Sequence, residues 1–326
     1  MKTILKFLTA TIVVLAIVYF AGPRTTKATY KAALPTVPTI EKLETYIHSQ
    51  ESKYKIKPGN EAEIVWADIN HQQTEYAVVY LHGFSASKEE GNPVHTNFAK
   101  SINANLYLAR LADHGIDTIA PMQYFTADKL WETAKEAFAI GKKLGKKVIL
   151  VGTSTGGTLA LQLAAAYPEV HSLVLLSPNI AINDDKVWLL NNPWGLQIAR
   201  KVSGGDERVL DGKTPIYKKF WYDHYRLESV VQLQELLESA MTKQTFEKVK
   251  QPTLMLYYYK NEQEQDPVVK VSAMLEMFDE LGTPTEKKEQ HALPNTGNHV
   301  IGSYITSKDI PSVERAINEF VKKHIN

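Results

Sequence analysis

At 326 residues the chain is long enough to bury a large core and to hold one big α/β domain with an insertion. Its 37 basic and 36 acidic side chains leave a formal net charge of +1, with no basic stripe interleaved with aromatics, which argues against a nucleic-acid partner. Cysteine is absent, which excludes disulfides, thiolate metal sites and a lipid-modified N-terminal cysteine, and is compatible with any compartment.

Residues 1–22 begin with Lys2 and Lys6 and run apolar from Phe7 to Ala21, broken only by the hydroxyls of Thr9 and Thr11. A basic start followed by an apolar run is the pattern of a signal peptide or a signal anchor. Counted from Ile4, the run approaches the length of a bilayer span. Cleavage wants small residues at the last and third-last positions. Tyr19 spoils Ala21, which leaves only Thr26-Lys27-Ala28. An uncleaved anchor is the first expectation and a removed signal the second. Either makes the protein membrane-anchored or exported, with its folded domain outside the cytoplasm. Basic residues on both flanks give no orientation of their own. Residues 23–60 read as a linker (Pro23, Pro35 and Pro38), then a short helix that Thr39 could cap, ending near Ser52.

Residues 61–182 alternate strand and helix patterns. A strand over Ala62–Ile69 precedes a buried one over Tyr76–Leu81, which runs into His82-Gly83-Phe84-Ser85-Ala86-Ser87. Glycine and small residues after a strand suit a loop whose backbone N–H groups point into a cleft. The spacing predicts a helix over 97–105, a strand over Leu106–Leu111 and a loop at Asp113-His114-Gly115. A helix over Leu130–Leu144 follows, with Leu130, Ala134, Ala137, Phe138 and Leu144 facing the core. Lys135, Glu136, Lys142 and Lys143 are expected to face water, and Gly145 to end the helix.

Val148–Val151 is a short apolar run of the kind found in fully buried strands. The Ala- and Leu-rich stretch from Gly157 to Tyr167 reads as a helix stopped by Pro168. Between them lies Gly152-Thr153-Ser154-Thr155-Gly156. Passing from strand to helix within one residue demands a strained turn with small neighbours, and it holds the Ser154 hydroxyl exposed at the strand's C-terminal end. Leu173–Leu176 is the next parallel strand, and the alternation predicts an α/β fold with a mostly parallel, doubly wound sheet.

Residues 183–249 contain no buried strand. They carry Trp188, Trp194, Tyr217, Phe220, Trp221, Tyr222 and Tyr225, then an amphipathic helix from Leu227 to about Met241. This reads as a helical cap over the cleft, its aromatics either lining an apolar tunnel or forming the cap's own core. Over residues 250–326 the sheet resumes with strands at Pro252–Tyr259 and Glu286–Leu293 and closes with a helix over Ser312–Ile325.

A serine needs a base within hydrogen-bond reach to become a nucleophile, and the base needs a carboxylate to fix its tautomer. His299 lies in a Gly- and Asn-rich loop after the last strand, at the sheet edge that also carries Ser154. Asp266 lies in the loop after the preceding strand. The developing oxyanion needs two donors, assigned to the backbone N–H groups of Phe84 and Thr155. His82 is read as a brace of its loop, His114 as structural or exposed, His291 as a strand residue and His224 as part of the cap. No side-chain cluster has metal-ligand spacing, and the glycines at 152–157 match neither a Walker loop nor a dinucleotide fingerprint. No cofactor is expected.

The order Ser154, Asp266, His299, with His82-Gly83-Phe84, Gly152-Thr153-Ser154-Thr155-Gly156, Asp266-Pro267-Val268-Val269 and Asn298-His299, resembles the α/β-hydrolase family from about Glu61 onward. Within it the chain is similar to the monoacylglycerol-lipase-like branch of serine hydrolases, with a cap after the sixth strand of the sheet. The resemblance implies a serine hydrolase of carboxylic esters, and the cap's aromatics point to an apolar acyl substrate. One departure is that the acid in such proteins often follows a short Gly-x-x-Asp turn. Here the loop is longer and offers Glu262 and Glu264 as alternatives, while Pro267-Val268-Val269, which starts a helix, favours Asp266. Peptidase, amidase, thioesterase or carbon–carbon bond hydrolase activity fits the same pattern. Dehalogenase chemistry wants a carboxylate where Ser154 stands. A non-catalytic, membrane-anchored binding protein is the alternative from another class.

Overall fold

The computed structural model describes residues 2–325. Among them the strands, in chain order, are β1 (Glu63–Val65), β2 (Thr74–Leu81), β3 (Asn105–Leu108), β4 (Gly145–Thr153), β5 (Val170–Leu176), β6 (Glu207–Val209), β7 (His224–Arg226), β8 (Thr253–Tyr257) and β9 (Lys288–Ala292). The α-helices are α1 (Lys2–Phe20), α2 (Leu43–Glu51), α3 (Val94–Ser101), α4 (Ala127–Leu144), α5 (Thr155–Ala166), α6 (Gly195–Ser203), α7 (Pro215–Phe220), α8 (Leu227–Ala240), α9 (Lys243–Lys248), α10 (Val271–Glu280) and α11 (Ile310–His324).

The main sheet has the order β1-β3-β2-β4-β5-β8-β9, parallel throughout except for β1, which pairs antiparallel with β3. Strand periodicity sorts the core into two layers. Ala77, Val79 and Leu81 of β2, with Val148 and Leu150 of β4, join Leu130, Trp131 and Phe138 of α4 and Leu159 and Leu163 of α5. Their neighbours Val78, Tyr80, Ile149 and Val151 point the other way, onto Phe98 of α3 and Val313, Ile317 and Phe320 of α11. The central strands are therefore buried on both faces, which is why they read as unbroken apolar runs.

The insertion leaves the sheet after β5, its fifth strand in chain order, and not after the sixth. Only the short antiparallel β1 precedes β2, so the front of this sheet is one strand shorter than the resemblance implies. The cap contains a small β6–β7 hairpin beside its helices. Predicted element ends move by a few residues. The helix expected over 97–105 is α3, which starts at Val94, and α4 starts at Ala127, where the Thr126 hydroxyl accepts from the Lys129 N–H (3.3 Å). Gly145 ends α4 as expected, and does so as the first, extended residue of β4 (φ −147°).

Two further corrections share one cause. Residues 23–38 are not a free linker but an extended strap laid over α4, α5 and α8. Trp131 Nε1 donates to the Lys31 carbonyl (2.9 Å), the Tyr167 hydroxyl to that of Ala32 (2.7 Å) and Lys27 Nζ to Glu235 (2.8 Å). The strap covers Lys135, expected at the surface, and leaves it 1% exposed with its ammonium on the Ala33 carbonyl (2.8 Å). Glu136, also expected in water, accepts from the Tyr46 hydroxyl of α2.

Candidate active site

Ser154 occupies the single-residue turn between β4 and α5 at φ 53° and ψ −120°. A side chain held there costs about 1–3 kcal/mol, so the surrounding structure must over-determine it. Ser154 N–H donates to the Leu176 carbonyl (3.0 Å), and the Ser154 carbonyl accepts from Asn179 (2.9 Å) and Gly157 (2.8 Å). Gly156 lets α5 approach β2: a Cβ there would stand 1.8 Å from the Leu81 carbonyl oxygen. The turn ends with Ser154 6% exposed, at the centre of the sheet's C-terminal edge.

The structure brings Asp266 and His299 together across 33 residues of chain, because β8 and β9 pair in parallel and deliver both loops to that same edge. His299 Nδ1 lies 2.6 Å from Asp266 Oδ2. The other carboxylate oxygen, Oδ1, accepts from the N–H groups of Val268 (2.8 Å) and Val269 (3.0 Å), which orients the acid. Asp266 is fully buried and His299 6% exposed. Glu262 and Glu264 are tied to their own exposed loop, by Tyr259 (2.9 Å) and Lys260 (2.6 Å) respectively. Burial opposes charging His299, but the Asp266 carboxylate, assisted by Glu90, outweighs it and raises the imidazole pKa above its ordinary value.

Phe84 and Thr155 flank this edge, after β2 and at the first turn of α5. His82 Nδ1 lies 2.9 Å from the Gly83 carbonyl, and its Nε2 accepts from Leu111 N–H (3.1 Å), so Nδ1 carries the proton. A trans peptide points its N–H opposite to its C=O, so holding the Gly83 carbonyl aims the Phe84 N–H the other way. That N–H has no acceptor among the described residues. The Thr155 N–H, in the first turn of a helix, lacks an intrahelical partner.

The cap's aromatics divide. Phe220 and Trp221 pack on Ala86 and Val300, in the loops that follow His82 and His299, and Tyr225 meets the Phe84 ring edge-on at 5.1 Å. Trp188 is more than half exposed, while Trp194 donates to the Val18 carbonyl of α1 (3.1 Å). His114, read as structural or exposed, is buried against His82, Phe84 and Phe125. A separate cavity of about 400 Å³ between α2 and α4, edged by Glu51, Arg110 and Glu136, is lined by none of Ser154, Asp266 or His299.

Sequence reasoning passed over Glu90. It sits 2% exposed against the loop that follows β2 and accepts the Gly83 N–H. Desolvation pushes its carboxyl up to about 7. Nothing in Lys88-Glu89-Glu90-Gly91 signals which glutamate turns inward.

The buried bases make a prediction about stability. Desolvation pulls His82 and His95 down to about 4, and holds His114 well below its ordinary value. Between pH 6.5 and 4 the unfolded chain binds more protons at these sites than the native one, so stability falls as pH falls. Each contributes a slope on the order of 1 kcal/mol per pH unit. Glu90 acts with opposite sign: its folded pKa lies above the unfolded one, so its contribution is present at low pH and lost as pH rises from 4.5 towards 7. Denaturant unfolding should show stability declining from pH 6.5 to 4.5, and a smaller decline in His95→Gln. An equally steep decline in that variant would remove His95 from the account.

A sequence model described as Alpha/beta hydrolase family matches residues 78–304. The chain is 28% identical over 218 residues to serine hydrolase BPHL of Homo sapiens, covering 62% of this chain and 68% of that protein. It is 26% identical over 185 residues to the thermostable monoacylglycerol lipase of Bacillus sp. (strain H-257), covering 55% and 67% respectively. Among solved structures, one from a study of LipS and LipT, two metagenome-derived lipolytic enzymes, aligns with a TM-score of 0.66 at 20% identity over 82% of this chain and 100% of that one. The Paleococcus ferrophilus monoacylglycerol lipase aligns at 0.57 and 15% identity, over 80% and 98%. At such identities the structural likeness speaks to the fold.

Proposed function

Because the chain belongs to the alpha/beta hydrolase family, and its relatives include a serine hydrolase and a lipase, we propose that it cleaves carboxylic esters through Ser154, His299 and Asp266. The observation that carries the reading is the buried Asp266–His299 pair (2.6 Å) at the sheet edge that also holds the strained Ser154. In this reading His299 Nε2 takes the Ser154 proton as Oγ attacks the carbonyl carbon. The backbone N–H groups of Phe84 and Thr155 stabilise the oxyanion, and the imidazolium returns the proton to the leaving alcohol. Water, deprotonated by the same imidazole, then attacks the acyl-enzyme, and Ser154 recovers its proton as the acid departs. Asp266 stays ionised and holds Nδ1–H throughout.

The aromatic groups beside the site, Phe84, Trp221 and Tyr225, support an apolar acyl group. α1 supports a membrane tether: its 19 residues have a mean hydropathy of 2.2 and none is buried. At 1.5 Å per residue it reaches about 28 Å, close to a bilayer's hydrocarbon thickness. A cut after Ala28 would discard Lys27, whose ammonium is paired with Glu235, so the strap favours a retained anchor.

A panel of p-nitrophenyl esters of graded chain length, with monoacylglycerol and peptide amide competitors, tests the reading. Turnover should favour esters with a medium or long acyl chain. Preference for the amides or for thioesters would reassign the reaction, and inertness towards the whole panel together with failure to react with a fluorophosphonate would leave the non-catalytic alternative.

A further inference from the structure

Glu90 is used by neither the proposed triad nor the proposed oxyanion donors, yet it lies against both. Its carboxylate accepts the Gly83 N–H, one residue before Phe84. A Cβ built on Gly83 would stand 2.8 and 2.9 Å from the two Glu90 oxygens and 3.0 Å from Ser154 Cβ, so carboxyl and nucleophile flank the same glycine. Tyr80 of β2, Trp221 of the cap and His299 lie close enough to act on its charge, and Tyr217 of the cap senses that charge in turn. Asp266 stands behind His299. The Glu90 and His299 charges favour one another reciprocally.

A carboxyl is a costly way to fill this space. Burial of a charge is penalised, and a glutamine's amide oxygen would accept the Gly83 N–H equally well. What glutamate adds is an ionisable group beside the imidazole. Building on the triad reading above, we propose that Glu90 is a positioning residue of the catalytic centre. It pins the Gly83 N–H, and with it the loop that presents Phe84, and it places a second carboxylate beside the His299 imidazolium. Asp266 fixes the ring through Nδ1, and Glu90 acts on its charge alone. The positive ring that forms when Ser154 gives up its proton is thus flanked by two acids. Glu90 forms no bond to substrate and transfers no proton.

The test compares full-length wild type with Glu90→Gln and Glu90→Ala, reading kcat and KM on p-nitrophenyl butyrate across pH. In Glu90→Gln the Gly83 contact is retained and the charge is lost. The acid limb of kcat/KM should therefore move to lower pH, with KM within about twofold. Glu90→Ala also frees the loop, and its kcat should fall by about 10–100-fold, up to the range seen when an oxyanion donor is removed. An acid limb in Glu90→Gln that coincides with wild type or moves up overturns the proposal, as does a variant that changes only its melting temperature. Should Glu90→Gln fail to fold, carboxyl-¹³C glutamate NMR of the wild type and of His299→Gln decides. One glutamate should titrate above the ordinary carboxyl range and shift its titration when His299 is replaced by glutamine, and a spectrum in which no glutamate responds to that replacement sinks the idea. The two readings fail separately. A wild type that no fluorophosphonate labels refutes the triad, whereas a labelled wild type with an unmoved limb in Glu90→Gln refutes Glu90 alone.

Discussion

Ser154→Ala is expected to abolish ester turnover and fluorophosphonate labelling, with kcat down about 10⁴-fold or more and the fold intact. The size follows from what the hydroxyl does in the proposed mechanism: it is the only atom to bond with the substrate carbonyl, and water at the same position must attack without orientation. The fold should survive because the turn is held by backbone atoms. Ser154 N–H bonds to Leu176, and its carbonyl serves Asn179 and Gly157. Alanine keeps the same Cβ at the same φ of 53°, so strain is neither added nor relieved. Unfolding midpoints should agree within a few degrees. Labelling that persists in Ser154→Ala would move the nucleophile elsewhere.

What the sequence disclosed and what it hid follow from the range of the interactions. The turn at Ser154 was legible because its causes are local: an apolar strand, an Ala-rich helix and a glycine where α5 meets the Leu81 carbonyl. The parallel sheet was legible because strands buried on both faces must be apolar throughout. Lys135 misled because its environment is set by a strap about 100 residues away, and an amphipathic pattern records only the helix's own faces. The cap's place was misjudged because the sixth strand came from the resemblance, whereas the strands legible before residue 183, short β1 included, already numbered five. Glu90 was missed because Trp221 of the cap and the His299 loop, both far from it in sequence, help to create its environment. For His114 the structural of its two readings holds, and the choice was open because Phe84 and Phe125, which close over it, come from other segments.

Asp266→Asn has the second-largest expected effect and separates the acid from its competitors. The Oδ1 side of residue 266 accepts from the N–H groups of Val268 and Val269, so asparagine will turn its oxygen towards them and its NH₂ towards His299. An N–H facing Nδ1 demands a lone pair there, which moves the imidazole proton to Nε2. A protonated Nε2 can no longer accept from Ser154. The cost is thus a wrong tautomer together with a lost counter-charge, and kcat should fall about 10⁴-fold while the backbone stays put. The neighbouring Glu90 carboxyl does not compensate, because it does not bond to Nδ1 and so leaves the tautomer unset. Glu262→Gln and Glu264→Gln, on the exposed part of the same loop, should remain within twofold of wild type. Activity of Asp266→Asn within tenfold of wild type would mean that His299 is oriented by something other than the 2.6 Å contact, and a large loss in either glutamine variant would say where to look for it.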